Sequence, residues 1–354
     1  MLKRSPVLKV IAALTLFLAA DLPAGPLQKQ QVPAAAKWAV HANVEAFLAS
    51  KTGDFALQEM KKRGFDEALT NIQNAFAFDP TKDLKSVTVY GLRFGDHAVV
   101  ILIHGTMDRD RLTEVVRSNE TYKELKYGTH TVHQWTDNPQ AVKPGPTKFG
   151  SFHGDGLLVL TEDVRLHEQA LDVLDRKADS LAGPGASGFL PAASEGSFLT
   201  AYVKELPSIG KGRPEAVILG KLASGSLEVA ESSGRLSAHL AVTARTARTA
   251  DNLRKVAEGF LALIDLAGPE QEGKAPAGAD DRVLFGDTAV PAKLVAVLKD
   301  VKVTSTGRTV KVDATAPVSN AISLLRWVID KQTGAGEAAT SDDEKSAGKA
   351  AGSP

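Results

Sequence analysis

The sequence predicts an α+β protein with two similar lobes, each an antiparallel sheet backed by helices. Segments whose apolar residues alternate with period two are followed by segments whose apolar residues recur with the helical period. The order hairpin, helix, hairpin, helix occurs twice, and a stretch rich in glycine and proline separates the two occurrences. The repeated order predicts an internal duplication of hairpin–helix units.

The first lobe is expected to open with a strand over Lys37–Asn43, where the pattern alternates. Two helices follow, and the second carries an apolar face because its large residues are spaced by four, three and four: Phe65, Leu69, Ile72 and Phe76. The later segments predict a hairpin of strands 86–90 and 97–103, a helix from 108, strands within 124–135 and 148–161, and a closing helix with Leu166, Ala170, Leu171 and Leu174 inward.

The second lobe repeats this arrangement. It is expected to contain a strand over 197–203, a hairpin of 226–229 and 235–242, a helix with Leu253, Val256, Phe260 and Leu263 on one face, a hairpin of 302–306 and 309–313, and a final helix with Ile322, Leu325 and Val328. Pro317 suits the start of that helix because proline is favoured in the first turn.

Composition and local patterns divide the chain into six segments. We expect a signal peptide, a flexible leader, the first lobe, a Gly/Pro-rich linker, the second lobe and a disordered tail. The tail holds no valine, isoleucine, leucine or aromatic residue, so it offers no side chains to a core. The boundaries are 1–20, 21–36, 37–180, 181–196, 197–332 and 333–354.

The first twenty residues have the features of a secretory signal. Lys3, Arg4 and Lys9 precede the apolar run Val10–Ala20, and Pro23 follows. A run of this length is shorter than the roughly 20 residues that span a bilayer. We therefore expect an exported bacterial protein that is periplasmic, in the cell envelope or extracellular. We expect no transmembrane span after signal removal.

Charge and cysteine content exclude several classes of function. Lys+Arg and Asp+Glu both number 42, so the net charge of zero argues against a nucleic-acid partner. The chain has no cysteine, which excludes disulfides, thiolate catalysis and cysteine-ligated metals.

The segment Lys37–Gly53 (KWAVHANVEAFLASKTG) resembles the start of mature exported bacterial proteins that carry domains of unknown function. The resemblance covers the layout of residues 37–330, with residue-level similarity in this short segment. It implies export and a fold, and it supplies no catalytic residues.

Catalytic motifs occur only outside their required context. Gly183–Gly188 matches a dinucleotide-binding string, but a helix precedes it where the mechanism needs a strand. Ser208 and Lys211 match a Ser-x-x-Lys motif and Lys51–Gly53 a Lys-Thr-Gly motif, in the reverse of the order found in penicillin-recognising enzymes. We expect no catalytic residues and no cofactor.

The eight histidines do not form a metal-binding motif within one element. His130 and His133 lie in one expected strand at a spacing that directs them to opposite faces. We expect no metal site from this pattern. Sequence spacing does not show which residues of paired strands face each other, so a cluster of histidines on one face of a sheet is an open alternative.

These observations favour a non-catalytic envelope protein that acts as a binding or scaffolding module. Its partner is an unknown small molecule or envelope protein, and Phe189 and Leu190 in the linker are the candidate ligand-binding residues. One alternative is an exported hydrolase whose Ser, His and carboxylate groups converge from distant segments. Another is a carrier that holds an apolar ligand between sheet and helices.

Overall fold

The computed structural model describes residues 25–95, 98–137, 145–183, 194–206, 219–266, 282–285, 288–291, 297–298, 300–326 and 329. Its strands are β1 (Trp38–Asn43), β2 (Leu84–Gly91), β3 (Val99–Gly105), β4 (Lys123–Tyr127), β5 (His130–Thr136), β6 (Thr147–His153), β7 (Leu157–Thr161), β8 (Ser197–Val203), β9 (Leu222–Ser232), β10 (Arg235–Ala244), β11 (Arg282–Phe285), β12 (Thr288–Pro291), β13 (Lys302–Thr306) and β14 (Thr309–Pro317).

Most of the described helices are short. They are α1 (Val44–Ala49), α2 (Lys51–Lys62), α3 (Phe65–Phe76), α4 (Arg109–Arg117), α5 (Val164–Leu174), α6 (Ala247–Leu266) and α7 (318–326), with a 3-10 turn over Lys29–Gln31. The mixed α+β class agrees with the sequence prediction. None of the helices in the described ranges combines the length and the apolar character that crossing a bilayer requires.

Twelve of the described strands form one antiparallel sheet, in the order β13-β14-β10-β9-β8-β1-β2-β3-β7-β6-β5-β4. Strand β1 lies between β2 and β8, and Ala39 is level with Tyr90 on one side and Tyr202 on the other. The two predicted lobes therefore share a sheet instead of having one each. The pairing of β1 with β8 joins them, because each strand satisfies the backbone groups on the other's free edge.

Both faces of the sheet are covered, since successive side chains of a strand point to opposite sides. On one face, Val87 and Val89 of β2 belong to a cluster with α1, α2 and α3. The cluster includes Phe65, Ile72 and Phe76, three of the four residues on the predicted apolar face of α3. On the other face, Tyr90 packs with Val100, α5 and the leader.

The leader differs from the prediction of a flexible segment over its described part, residues 25–36. Val32 and Ala36 are fully buried, and Val32 O accepts a hydrogen bond from the backbone N–H of Leu181. Pro33 forms an isolated bridge with Ser180. Leu27 and Val32 of this segment pack in the apolar core, although the segment also contains polar residues.

Glu231 connects the second half of the chain to a helix of the first. Its carboxylate accepts hydrogen bonds from the backbone N–H groups of Lys51 and Thr52 at 2.8 and 3.0 Å, and from the Thr52 hydroxyl at 2.6 Å. These N–H groups open α2, where a helix has unpaired donors and a partial positive charge. The contact fixes the start of α2 against β9.

We predict that Glu231→Gln lowers the free energy of unfolding by about 1–3 kcal/mol, because the amide loses charge and one of the two oxygens that accept these bonds. Urea denaturation measures the change.

The matched control is Glu195→Gln, which makes the same change of charge at an exposed side chain. We expect its stability to stay within about 0.5 kcal/mol of the parent. Equal effects of the two substitutions would contradict the proposed role of Glu231.

Candidate functional site

A polar cavity of ≈ 310 Å³ lies where the leader crosses the sheet. The leader supplies Gln28 and Gln31, β2 supplies Lys85 and Ser86, and β3 supplies His104. His153 borders the cavity from the end of β6. Glycines 25, 105 and 156 and Leu157 complete the lining, so no carboxylate is among these residues. The arrangement places one lysine and several hydrogen-bonding groups around a space of small-ligand size.

An irregularity in β2 brings Lys85 to this cavity. Leu84 pairs with Gly105 and Ser86 pairs with His104, so Lys85 is an extra residue opposite the partner strand. In a regular strand Lys85 and Ser86 would point to opposite faces, whereas a β-bulge re-aims a side chain. Both residues line the same cavity as a result.

The Lys85 ammonium is buried, and no described residue pairs with it. The residue is 3% exposed, and its Nζ has no hydrogen-bond partner among the described residues. Burying an unpaired charge is unfavourable by several kcal/mol even after local relaxation. A buried lysine is therefore normally paired, and Lys85 combines a buried side chain with an Nζ that has no partner among the described residues.

Two neutral histidines hold the leader over the cavity. Burial lowers the pKa of His104, whose Nε2 lies 2.7 Å from Gln31 Oε1. Burial also lowers the pKa of His41 to about 4, against the opposing effect of its bond to Gly25 O at 3.2 Å. Because carbonyl oxygens only accept, both histidines donate from Nε2 and tether residues 25–31 to the sheet.

A second group of polar side chains adjoins the cavity at His153. His130 Nε2 lies 3.0 Å from each carboxylate oxygen of Asp175, and His153 Nε2 lies 3.3 Å from Asp175 Oδ1. Burial alone would raise the pKa of Asp175, but hydrogen bonds from Lys177 and His130 outweigh it and lower the pKa to about 2. The carboxylate is therefore ionised under all ordinary conditions.

His130 and His133 lie on opposite faces, as their spacing predicts. His133 Nδ1 lies 2.9 Å from the Tyr122 hydroxyl, away from the cluster around Asp175. The residue that joins His130 is instead His153, twenty-three positions along the chain and on the neighbouring strand, with ring centroids 5.6 Å apart.

One serine–histidine pair lies in the core. Ser151 Oγ is 2.7 Å from His167 Nε2, and Thr161 Oγ1 is 3.4 Å from His167 Nδ1. Ser151 and His167 are both 0% exposed, so no substrate reaches the hydroxyl. A catalytic triad has a carboxylate where Thr161 stands, and the pair therefore acts as a hydrogen-bonded part of the core.

The candidate ligand residues Phe189 and Leu190 lie outside the described residues, as do Ser208 and Lys211. Lys51–Gly53 forms the first turn of α2, with the Gly53 N–H bonded to Ser50 Oγ, which is a helix cap and not a catalytic loop. Sequence reasoning did not select Lys85. One signal in the sequence could have pointed to it. In an alternating strand, Lys85 would share a face with Val87, and a lysine is unexpected on that apolar face.

Comparisons with known proteins add no functional argument. No protein family and no curated protein sequence matches the chain. Among solved structures, crystal form III of TP0453 matches with a TM-score of 0.41 and 10% identity over 85% of this chain and 98% of that one. Crystal form IV of TP0453 gives 0.42 and 8% over 84% and 95%. Likenesses at this level carry neither a fold assignment nor a function.

We predict that stability falls as the pH is lowered from about 7.5 to about 5. Burial, with a smaller contribution from His130, lowers the pKa of His167 from 6.5 to about 4. The unfolded chain therefore binds more protons than the folded chain in this interval. His167 alone should account for a loss of about 2 kcal/mol.

Urea denaturation of the parent and of His167→Gln at both pH values measures this contribution. The substitution lowers stability at neutral pH, but the loss on acidification should be smaller than in the parent by about 2 kcal/mol. An unchanged pH dependence would contradict a neutral, buried His167.

Proposed function

We propose that the chain is an exported, non-catalytic bacterial envelope protein that binds a small organic anion, bearing a phosphate or carboxylate group, in the cavity beneath the leader. The observation that carries the proposal is the buried Lys85 ammonium, which has no hydrogen-bond partner in the described part of the chain. Export is supported by the charged start and short apolar run of residues 1–20.

The charge balance of the cavity favours an anion. Among the described residues, its lining includes Lys85 and no aspartate or glutamate. If Lys85 only filled space, an apolar residue of similar volume would do so without a charge to bury. If it formed a structural ion pair, it would have an acidic partner. A bound anion supplies the missing counter-charge in a site where water screens the attraction weakly.

Hydrogen-bond donors around Lys85 favour a phosphate or carboxylate over a halide. Ser86 contributes a hydroxyl and Gln28 a side-chain amide. Gln31 uses its amide oxygen for His104, which leaves its amide nitrogen as a donor. Several donors from separate elements suit an oxyanion, whose oxygens each accept more than one bond.

The other candidate functions have less support. The described serine–histidine pair is inaccessible and lacks a carboxylate, so it does not support hydrolysis. A carrier of an apolar ligand requires an apolar cavity, whereas most of the residues around this cavity are polar or glycine. The role of Phe189 and Leu190 in binding remains a prediction.

We further propose that the two halves of the sheet derive from an internal duplication. Reading outwards from β1, one half has the order β1-β2-β3-β7-β6, and reading outwards from β8, the other has β8-β9-β10-β14-β13. A helix follows the third strand in each series, α4 in one and α6 in the other. The antiparallel β1–β8 pair would lie at the pseudo-twofold axis.

We predict that inorganic phosphate, succinate or glycerol 3-phosphate stabilises the parent protein against thermal unfolding. At ten times Kd, a ligand specific for the folded state adds about 1.4 kcal/mol, which corresponds to a rise in Tm of several °C. Sodium chloride keeps the ionic strength constant, and glycerol serves as the neutral ligand. Differential scanning fluorimetry measures Tm, and calorimetric titration gives Kd.

Lys85→Met tests the assignment of the site. Methionine keeps the length of the side chain and removes the buried charge, so the ligand-free variant should unfold at a higher Tm than the parent and lose the response to anions. Lys123→Met, which removes an exposed positive charge from β4, should respond like the parent. An undiminished response in Lys85→Met, or the absence of any response in the parent, would refute the proposal.

A further inference from the structure

We propose that His130, His153 and Asp175 form a binding site for a divalent transition metal ion of the Zn²⁺ type. One ligand atom from each residue lies within 4.8 Å of the other two. The Asp175 Oδ1 atom is 3.0 Å from His130 Nε2 and 3.3 Å from His153 Nε2. Tetrahedral Zn²⁺, with bonds of about 2.0–2.1 Å, holds its ligand atoms roughly 3.3 Å apart.

The three side chains converge because of the tertiary structure. In the pairing of β5 with β6, His133 is opposite Gly150, and the same register brings His130 opposite His153. The two rings stack with an angle of 26° between their planes. Asp175 is the residue that ends α5, and Arg176 after it has a positive φ of 61°. Three separate elements thus aim their side chains at one point.

The identity of the ligands favours a transition metal. Two imidazoles and one carboxylate suit Zn²⁺, Co²⁺ or Ni²⁺, whereas Mg²⁺ and Ca²⁺ prefer oxygen ligands alone. Lys177 Nζ holds Asp175 Oδ2 at 2.8 Å, which leaves Oδ1 directed at the two histidines. Such a contact to the outer oxygen orients a metal-binding carboxylate.

The site would have an open coordination position. Three protein ligands leave a tetrahedral ion one further position, as in catalytic rather than structural zinc sites. His153 also lines the polar cavity, so the open position is close to that space. The metal proposal does not rest on anion binding, because neither Lys85 nor any leader residue is among the ligands.

Titration calorimetry of the purified, chelator-treated chain with ZnCl₂ tests the proposal, with CoCl₂ as a second probe. We expect one equivalent of Zn²⁺ to bind the parent, and Co²⁺ to give visible absorption bands of a low-symmetry site with nitrogen and oxygen ligands. MgCl₂ should give no comparable heat. His130→Gln and Asp175→Asn should each weaken Zn²⁺ binding by more than the 10–100-fold typical of losing an outer-shell partner.

The matched control is His239→Gln. His239 Nδ1 lies 2.7 Å from Asp313 Oδ1 in a similar His–Asp pair, without a second histidine in the described residues around it. This variant should bind Zn²⁺ like the parent. Lys85→Met should also keep Zn²⁺ binding, which separates this proposal from the anion site.

Circular dichroism verifies that each variant is folded, and His153→Gln replaces any variant that is not. Stoichiometric Zn²⁺ binding that survives the substitutions at His130 and Asp175, or a parent that binds no Zn²⁺ above the heat of diluting ZnCl₂ into buffer, would overturn the assignment.

Discussion

The position of β1 between β2 and β8 is the constraint on which the rest of the structure depends. Both edges of β1 are hydrogen-bonded, one to each half of the chain. His41 of β1 then stands level with Thr88, and its ring reaches Gly25 of the leader. A central strand with both edges paired thus joins the two halves of the sheet, and it also sets where the leader crosses the sheet.

The leader crossing creates the polar surroundings of the candidate site. A segment that packs on a sheet face buries polar groups that the face carries, and here these include Lys85 and His41. The histidines adapt by staying neutral, since burial lowers their pKa values. The bulge at Lys85 places its side chain beside the cavity instead of within the apolar core.

His153 relates the two proposed sites to each other. It borders the cavity and also contacts Asp175, so a ligand of one site would lie close to a ligand of the other. The charges differ in sign: Lys85 supplies a positive group and Asp175 a negative one. An anion and a metal ion in neighbouring positions would therefore attract each other, which makes the two binding events mutually favourable in electrostatic terms.

Local periodicity in the sequence determined the class of the fold and most of its elements. The face of α3 with Phe65 and Phe76 and the β2–β3 hairpin followed from spacing alone, because side-chain direction within a helix or strand depends only on nearby positions. The joining of both halves into one sheet, the burial of Val32, the bulge at Lys85 and the meeting of His130 with Asp175 were decided only by the tertiary structure. Each depends on strand register or on packing between distant segments. The spacing of residues along one helix or strand carries no information about either.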